Sequence, residues 1–114
     1  MTDEMRLRVI FYKTEVGKEP VRDWLKSLPA EEKKIIGQDI KTVQLGWPLG
    51  MPIVRKLEKD LWEVRSHLPN RIARVIFTVS DDVMVLLHGF IKKSQKTPTR
   101  DLTLARKRLQ TLWE

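Results

Sequence analysis

Four cations in the second half of the chain have the types and spacing to handle a phosphodiester: Arg65, Arg74 and the adjacent pair Lys92 and Lys93. Arginine presents a planar fork that matches phosphate oxygens, and lysine a compact charge suited to a developing alkoxide. His67 and His88 are the side chains that exchange protons near neutral pH. Arg71, His67 and Lys96 flank the set as candidate RNA contacts, Arg71 and Lys96 extending its positive charge. RNA carries its own nucleophile, the 2′-hydroxyl beside the phosphorus, so fixed cations and one proton-transfer group can cleave it. The chain has no cysteine and two histidines far apart, so neither a thiolate site nor a zinc set is expected. No metal and no cofactor is expected.

Each of these residues also has a plainer reading. Arg65 can pair with Glu63 or Asp60 on a wet sheet face. Arg74 sits mid-strand among apolar residues and must reach either an open face or an acidic partner. Arg71, next to a turn, can simply be solvated. His88 lies in an apolar run and suits a satisfied core or edge histidine. Trp24, Trp47 and Trp62 fall at packing positions, and the basic run in ARKRL fits a solvated helix face.

The totals narrow the class. With 114 residues and 41% hydrophobic residues, one folded domain with one core is expected, spanning 1–114. The net charge is +7. Residues 1–60 hold 12 basic and 10 acidic residues, giving +2, and residues 61–114 hold 10 and 5, giving +5. Excess charge gathered in one half points to a polyanionic partner, nucleic acid first, although a solvated basic surface has the same composition. The apolar run near the N-terminus is too short for a signal peptide or a membrane span, so a cytoplasmic protein is expected.

The elements that must position the cations follow from periodicity. Leu7–Tyr12 reads as a strand. Pro20 opens a short helix with Val21, Trp24, Leu25 and Leu28 at helical spacing. Pro29 then starts a second helix, with Ile36, Ile40, Val43 and Trp47 on one face and a stop at Gly46 and Pro48. Residues 48–60 read as a loop. Three strands follow at 61–68, 71–79 and 83–91. Their alternation places Trp62, Val64, Val75 and Phe77 on one face and Arg65, His67 and Arg74 on the other, open one. Adjacent strands lie only about 5 Å apart, so these cations can converge. Thr97 and Pro98 are expected to cap and open a last helix running to Leu112. The order is β-α-α-β-β-β-α, an α+β fold with a twisted antiparallel sheet and helices packed on one face.

Several phrases stand in this order: LGWPLGMP, RKLEKDLWEVR, ARVIF, VLLHGFIKKSQKTP and DLTLARKR. Together they resemble the phage-derived HigB-like proteins of the RelE/ParE toxin superfamily, over residues 7–110. The resemblance implies a compact RelE-like fold and the toxin of a type II toxin–antitoxin system. It implies a metal-independent endoribonuclease that cuts mRNA on the ribosome, in the A site of the small subunit, and so inhibits translation. It also implies a small helix-turn-helix antitoxin as partner. By position, Arg65 in LWEVR and Arg74 in ARVIF match basic residues of the family's concave surface, and Lys92 and Lys93 match its basic segment after the last strand. His88 lies within a family phrase. The chain departs from similar sequences at Ala73 and Phe77, where an aromatic and a tyrosine are common. Its single tyrosine, Tyr12, is in the first strand. Proton transfer therefore falls to His67, His88 or a lysine.

Two other functions are compatible with the same residues. A ParE-like inhibitor of DNA gyrase would need no nuclease site. A non-enzymatic nucleic-acid-binding module would need only the charge, and its binding would fade smoothly with salt.

Overall fold

The computed structural model describes residues 7–93 and 95–112. Along the chain run β1 (Arg8–Phe11), α1 (Pro20–Lys26), α2 (Ala30–Gly46), β2 (Val54–Glu58), β3 (Leu61–His67), β4 (Ile72–Ser80), β5 (Val83–Ile91) and α3 (Thr99–Leu112). The strands form one sheet in the order β1-β5-β4-β3-β2. Strands β2 to β5 form an antiparallel meander, and β1 joins β5 in parallel.

Local chemistry accounts for the helices. Pro20 occupies the first turn of α1, where its missing N–H costs nothing. Glu31 and Glu32 lie in the first turn of α2, against the positive end of its dipole. Ile36, Ile40 and Val43 of α2 are buried on one face of the sheet, with Val64, Val75, Phe77, Met84 and Leu86. Trp47 meets Trp62 and Phe77 edge-on, at 5.1 and 5.6 Å between ring centres. Each large side chain fully buried in this layer contributes about 1.5–3 kcal/mol relative to exposure.

The α+β class and the expected elements are present, and the arrangement differs from expectation in four ways. The sheet is mixed, because the long excursion through α1 and α2 precedes the meander and returns β1 beside β5 in the same direction. The segment expected as loop contains β2, VRKLE, whose charged residues suit an edge strand and hide it from a hydrophobicity pattern. The helices do not share a face. Ala105, Leu102 and Leu109 of α3 pack with Leu61, Ile76, Val85 and Leu87 on the opposite side of the sheet from α2. Finally, α3 begins at Thr99, and the Thr97 hydroxyl is used elsewhere.

The β4–β5 ladder slips between Ile76 and Phe77, leaving Leu87 as an extra residue of β5. Arg108 of α3 donates to the Leu87 carbonyl at 2.7 Å, and its guanidinium lies 5.5 Å from the Tyr12 ring centre. Arg106 forms a two-pronged contact with Glu58 at 2.7 and 2.9 Å. These bonds fasten α3 across the sheet from β2 to β5.

Candidate nucleic-acid interface

The registers decide which side chains share a surface. On the α3 side of the sheet, residues directly opposite one another form three successive rows. The first runs Arg55, Glu63, Ile76, His88. The second runs Arg65, Arg74, Phe90. The third is His67 beside Ile72, with the Lys92 N–H donating to the Ile72 carbonyl at 2.7 Å. Because α3 covers the first row and leaves the third open, burial falls along the face. Glu63 and Arg74 are fully buried, Arg65 and Lys92 are partly exposed, and His67 and Lys93 are exposed.

Arg74 and Glu63 form an ion pair with an N–O distance of 3.6 Å and no exposure on either side chain. Burial pushes the Arg74 guanidinium's pKa down, Glu63 opposes that shift, and Arg65 and Arg55 reinforce it. The pair is extended by the segment before α3. The Thr97 hydroxyl donates to Glu63 at 2.9 Å and accepts from Arg74 at 3.2 Å. Arg74 also donates to the Gln95 carbonyl at 2.8 Å. Arg74 thus ties the turn carrying Lys92, Lys93 and Lys96 to the middle of the sheet. The Ser94 hydroxyl of that turn lies outside the described residues.

The other expected residues are distributed as follows. Arg65 is partly exposed, its Nε is buried with no hydrogen-bond partner, and it makes no ion pair with Glu63 or Asp60. Lys92 and Lys93, with Ile72 and Gln95, line a shallow cavity of about 370 Å³. Lys96 is exposed on the same turn. Arg71 is held by Glu32 of α2 through two bonds of 2.6 and 3.1 Å, which raise its pKa. It stands with Lys93 and Arg100 around a separate groove beside Gly89–Ile91. His88 Nε2 lies 2.6 Å from Asp101 Oδ1, and its ring stacks on Phe90 at 5.4 Å. Tyr12 bonds Thr111 near the far end of α3, remote from the cations.

Four participants escaped sequence reasoning. Arg55 lies in β2, which was not legible as a strand. Glu63, Thr97 and Asp101 are single polar residues whose partners are 11, 34 and 13 positions away in sequence. Only the alternation in LWEVR, which puts Glu63 on the Arg65 face, carried a signal for any of them.

The arrangement can do two things chemically. It offers an open row of cations for phosphate oxygens, and it sets an exposed imidazole, His67, at the end of that row. Among the described residues, no group of three or more acidic or histidine side chains gathers as a metal would need, and no helix is long and apolar enough to cross a membrane.

The family described as phage-derived protein Gp49-like (DUF891) matches residues 23–110, which include every residue of this surface. No curated protein matches the chain.

Proposed function

Since the chain belongs to the phage-derived Gp49-like family, a toxin-like family of RelE character, we propose that it is the HigB-like toxin of a type II toxin–antitoxin system. On this reading it is a cytoplasmic, metal-independent endoribonuclease that cuts mRNA in the A site of the ribosome's small subunit. A helix-turn-helix antitoxin restrains it. The observation that carries the reading is the graded cationic face, where Arg65 stands opposite a buried, neutralised Arg74 and beside an open ledge of His67, Lys92 and Lys93.

The roles follow from burial. Arg65, Lys92 and Lys93 hold the phosphate and offset charge on its oxygens. His67 takes the proton of the 2′-hydroxyl, whose oxygen bonds to phosphorus as the bond to the 5′-oxygen breaks. A lysine of the ledge or His88 returns a proton to the leaving oxygen, which yields a cyclic phosphate and a 5′-hydroxyl end. Arg74 acts through the turn it braces and is a positioning residue.

Mapping mRNA 5′ ends just after a pulse of expression tests this, with Arg65→Ala beside the wild type. The expected result is new ends within translated frames that disappear in the variant. Growth arrest without new ends would replace this reading with a ParE-like inhibitor of gyrase. Neither arrest nor ends would leave a basic binding module.

A further inference from the structure

The groove beside the end of β5 has no task in that scheme. Strand β1 follows β5 only from Val83 to Leu86. The Leu86 carbonyl accepts from the Tyr12 N–H at 3.0 Å, and the Leu87 carbonyl accepts from Arg108 at 2.7 Å. Past that point the edge is open. The Lys92 N–H bonds to the Ile72 carbonyl of β4, so by the alternation of an antiparallel ladder Phe90 and His88 also bond to β4. The backbone N–H and C=O groups of Gly89 and Ile91 point the other way, and none of them has a hydrogen-bond partner on that side among the described residues.

A cavity of about 500 Å³ lies along these residues. It reaches from Trp24 on the α2 side of the sheet to Pro98, Arg100 and Asp101 on the α3 side, with Gly89, Phe90 and Ile91 between them. Because β4 closes the other edge of β5, a space bordered from both faces runs around the free edge. Gly89 admits Trp24 against the strand, where a Cβ would lie 2.3 Å from its ring. The rim is basic. Lys93 and Arg100 are exposed with no acidic partner among the described residues, and Arg71 stands beside them. The carboxylate that lines the cavity, Asp101, is 8% exposed and held by His88. Open backbone groups at strand spacing, with room beside them, are what an added strand requires. Cations around an edge repel a second copy of this chain, which carries +7, and attract an acidic segment. A nucleic acid would answer the cations and leave the backbone row unmatched.

We propose that the free edge of β5 at Gly89–Ile91 takes an extended acidic segment of a protein partner as an added strand, with its carboxylates on Lys93 and Arg100. The segment continues the line of β1 along the same edge. Lys93 also lines the ledge cavity with Lys92, so a bound segment takes a phosphate-binding cation out of use. That consequence, an occupied edge that blocks RNA, rests on the RNA-site reading. The strand addition itself rests only on the edge and its charge.

The test is amide hydrogen exchange of the purified full chain with three probes: a short blocked peptide that alternates glutamate and valine, its counterpart with lysine for glutamate, and a short uridine oligonucleotide. Saturating glutamate peptide is expected to slow exchange at Gly89 and Ile91 by at least about tenfold. Phe90 and His88, already bonded to β4, should be unchanged. The lysine peptide should slow neither edge amide. Arg100→Glu is expected to weaken the glutamate peptide by about tenfold or more. Arg100 is exposed in the first turn of α3, where an acid suits the helix dipole, so the fold is kept. Lys107→Glu makes the same charge change on the exposed face of α3 and should leave binding unaltered. No slowing at the two amides, equal slowing by the lysine peptide, equal losses in Arg100→Glu and Lys107→Glu, or slowing of the same amides by the oligonucleotide overturns the proposal. Slow exchange at both amides in the peptide-free chain, lost on dilution, would assign the edge to a second copy and also overturn it. Mapping of 5′ ends is read separately. Peptide capture at β5 without any mRNA cleavage keeps the added strand and removes the nuclease reading. Cleavage without capture does the reverse.

Discussion

Arg65 and Arg74 stand directly opposite one another across β3 and β4, yet they occupy opposite environments. Arg74 has no exposure and lies 3.6 Å from Glu63. Arg65 has no acidic partner among the described residues, and part of its side chain is exposed. Like charges placed opposite each other destabilise a strand pair. Here Glu63, two residues before Arg65 on the same face, offsets one charge and leaves the other available to a ligand.

Arg74→Ala is expected to destabilise the protein by about 3–5 kcal/mol, because Glu63 is left buried without its cation. Replacing both residues with apolar side chains of similar volume, as in Arg74→Met with Glu63→Leu, recovers most of that loss. Urea denaturation of the two variants checks this. A drop below about 1 kcal/mol for Arg74→Ala would mean that the pair is not closed to water.

Arg65→Ala is expected to change stability by less than about 1 kcal/mol, since no ion pair is broken. It is expected to remove mRNA cleavage. Denaturation midpoints measured beside 5′-end mapping separate the two effects. Loss of fold in step with loss of cleavage would contradict a ligand-facing Arg65.

Lys92 and Lys93 are expected to act through charge. RNA affinity measured against salt should follow a straight line in logarithmic coordinates, and Lys92→Ala or Lys93→Ala should lower its slope by about 1 each. Unchanged slopes in both variants would remove the ledge from the RNA path.

A methyl group at Gly89 would lie 2.3 Å from Trp24 Cε3. Gly89→Ala must therefore displace α1 from β5, at about 1–3 kcal/mol for overpacking. The Trp24→Leu background relieves the clash, so the same substitution should cost much less there. Tryptophan fluorescence during denaturation follows both. Equal costs in the two backgrounds would mean that Trp24 is not the obstacle.

Glu58 has its pKa lowered below 4.5, first by hydrogen bonding from Arg106. A depressed carboxylate stabilises the fold above its unfolded value and loses that contribution as pH falls through the folded one. The denaturation midpoint of the wild type should therefore fall more steeply below pH 4.5 than that of Arg106→Ala. The difference should be small and reduced by salt, because the pair is largely exposed. Parallel acid limbs would show that the contact does not persist in solution.

The sequence by itself determined the elements other than β2 and the sidedness of the cations. Period-two alternation in LWEVR and RIARVIF, with Trp62, Val64, Val75 and Phe77 turned to the core, assigns Arg65, His67 and Arg74 to the other face. Apolar spacing in α2 and the prolines at 20 and 29 delimit the first two helices. These are local regularities, carried by residues within a few positions of each other. Tertiary structure alone decided which cation is buried, which is open and what each one touches. The amphipathic stripe of α3 is the same whichever side of the sheet it covers, and its packing against Ile76 and Leu87 sets the preceding segment, with Gln95 and Thr97, on Arg74 and Glu63. The contact between Arg71 and Glu32 likewise joins the start of β4 to α2 across 39 positions. Such pairings depend on sheet order and loop path, which leave no periodic trace along the chain.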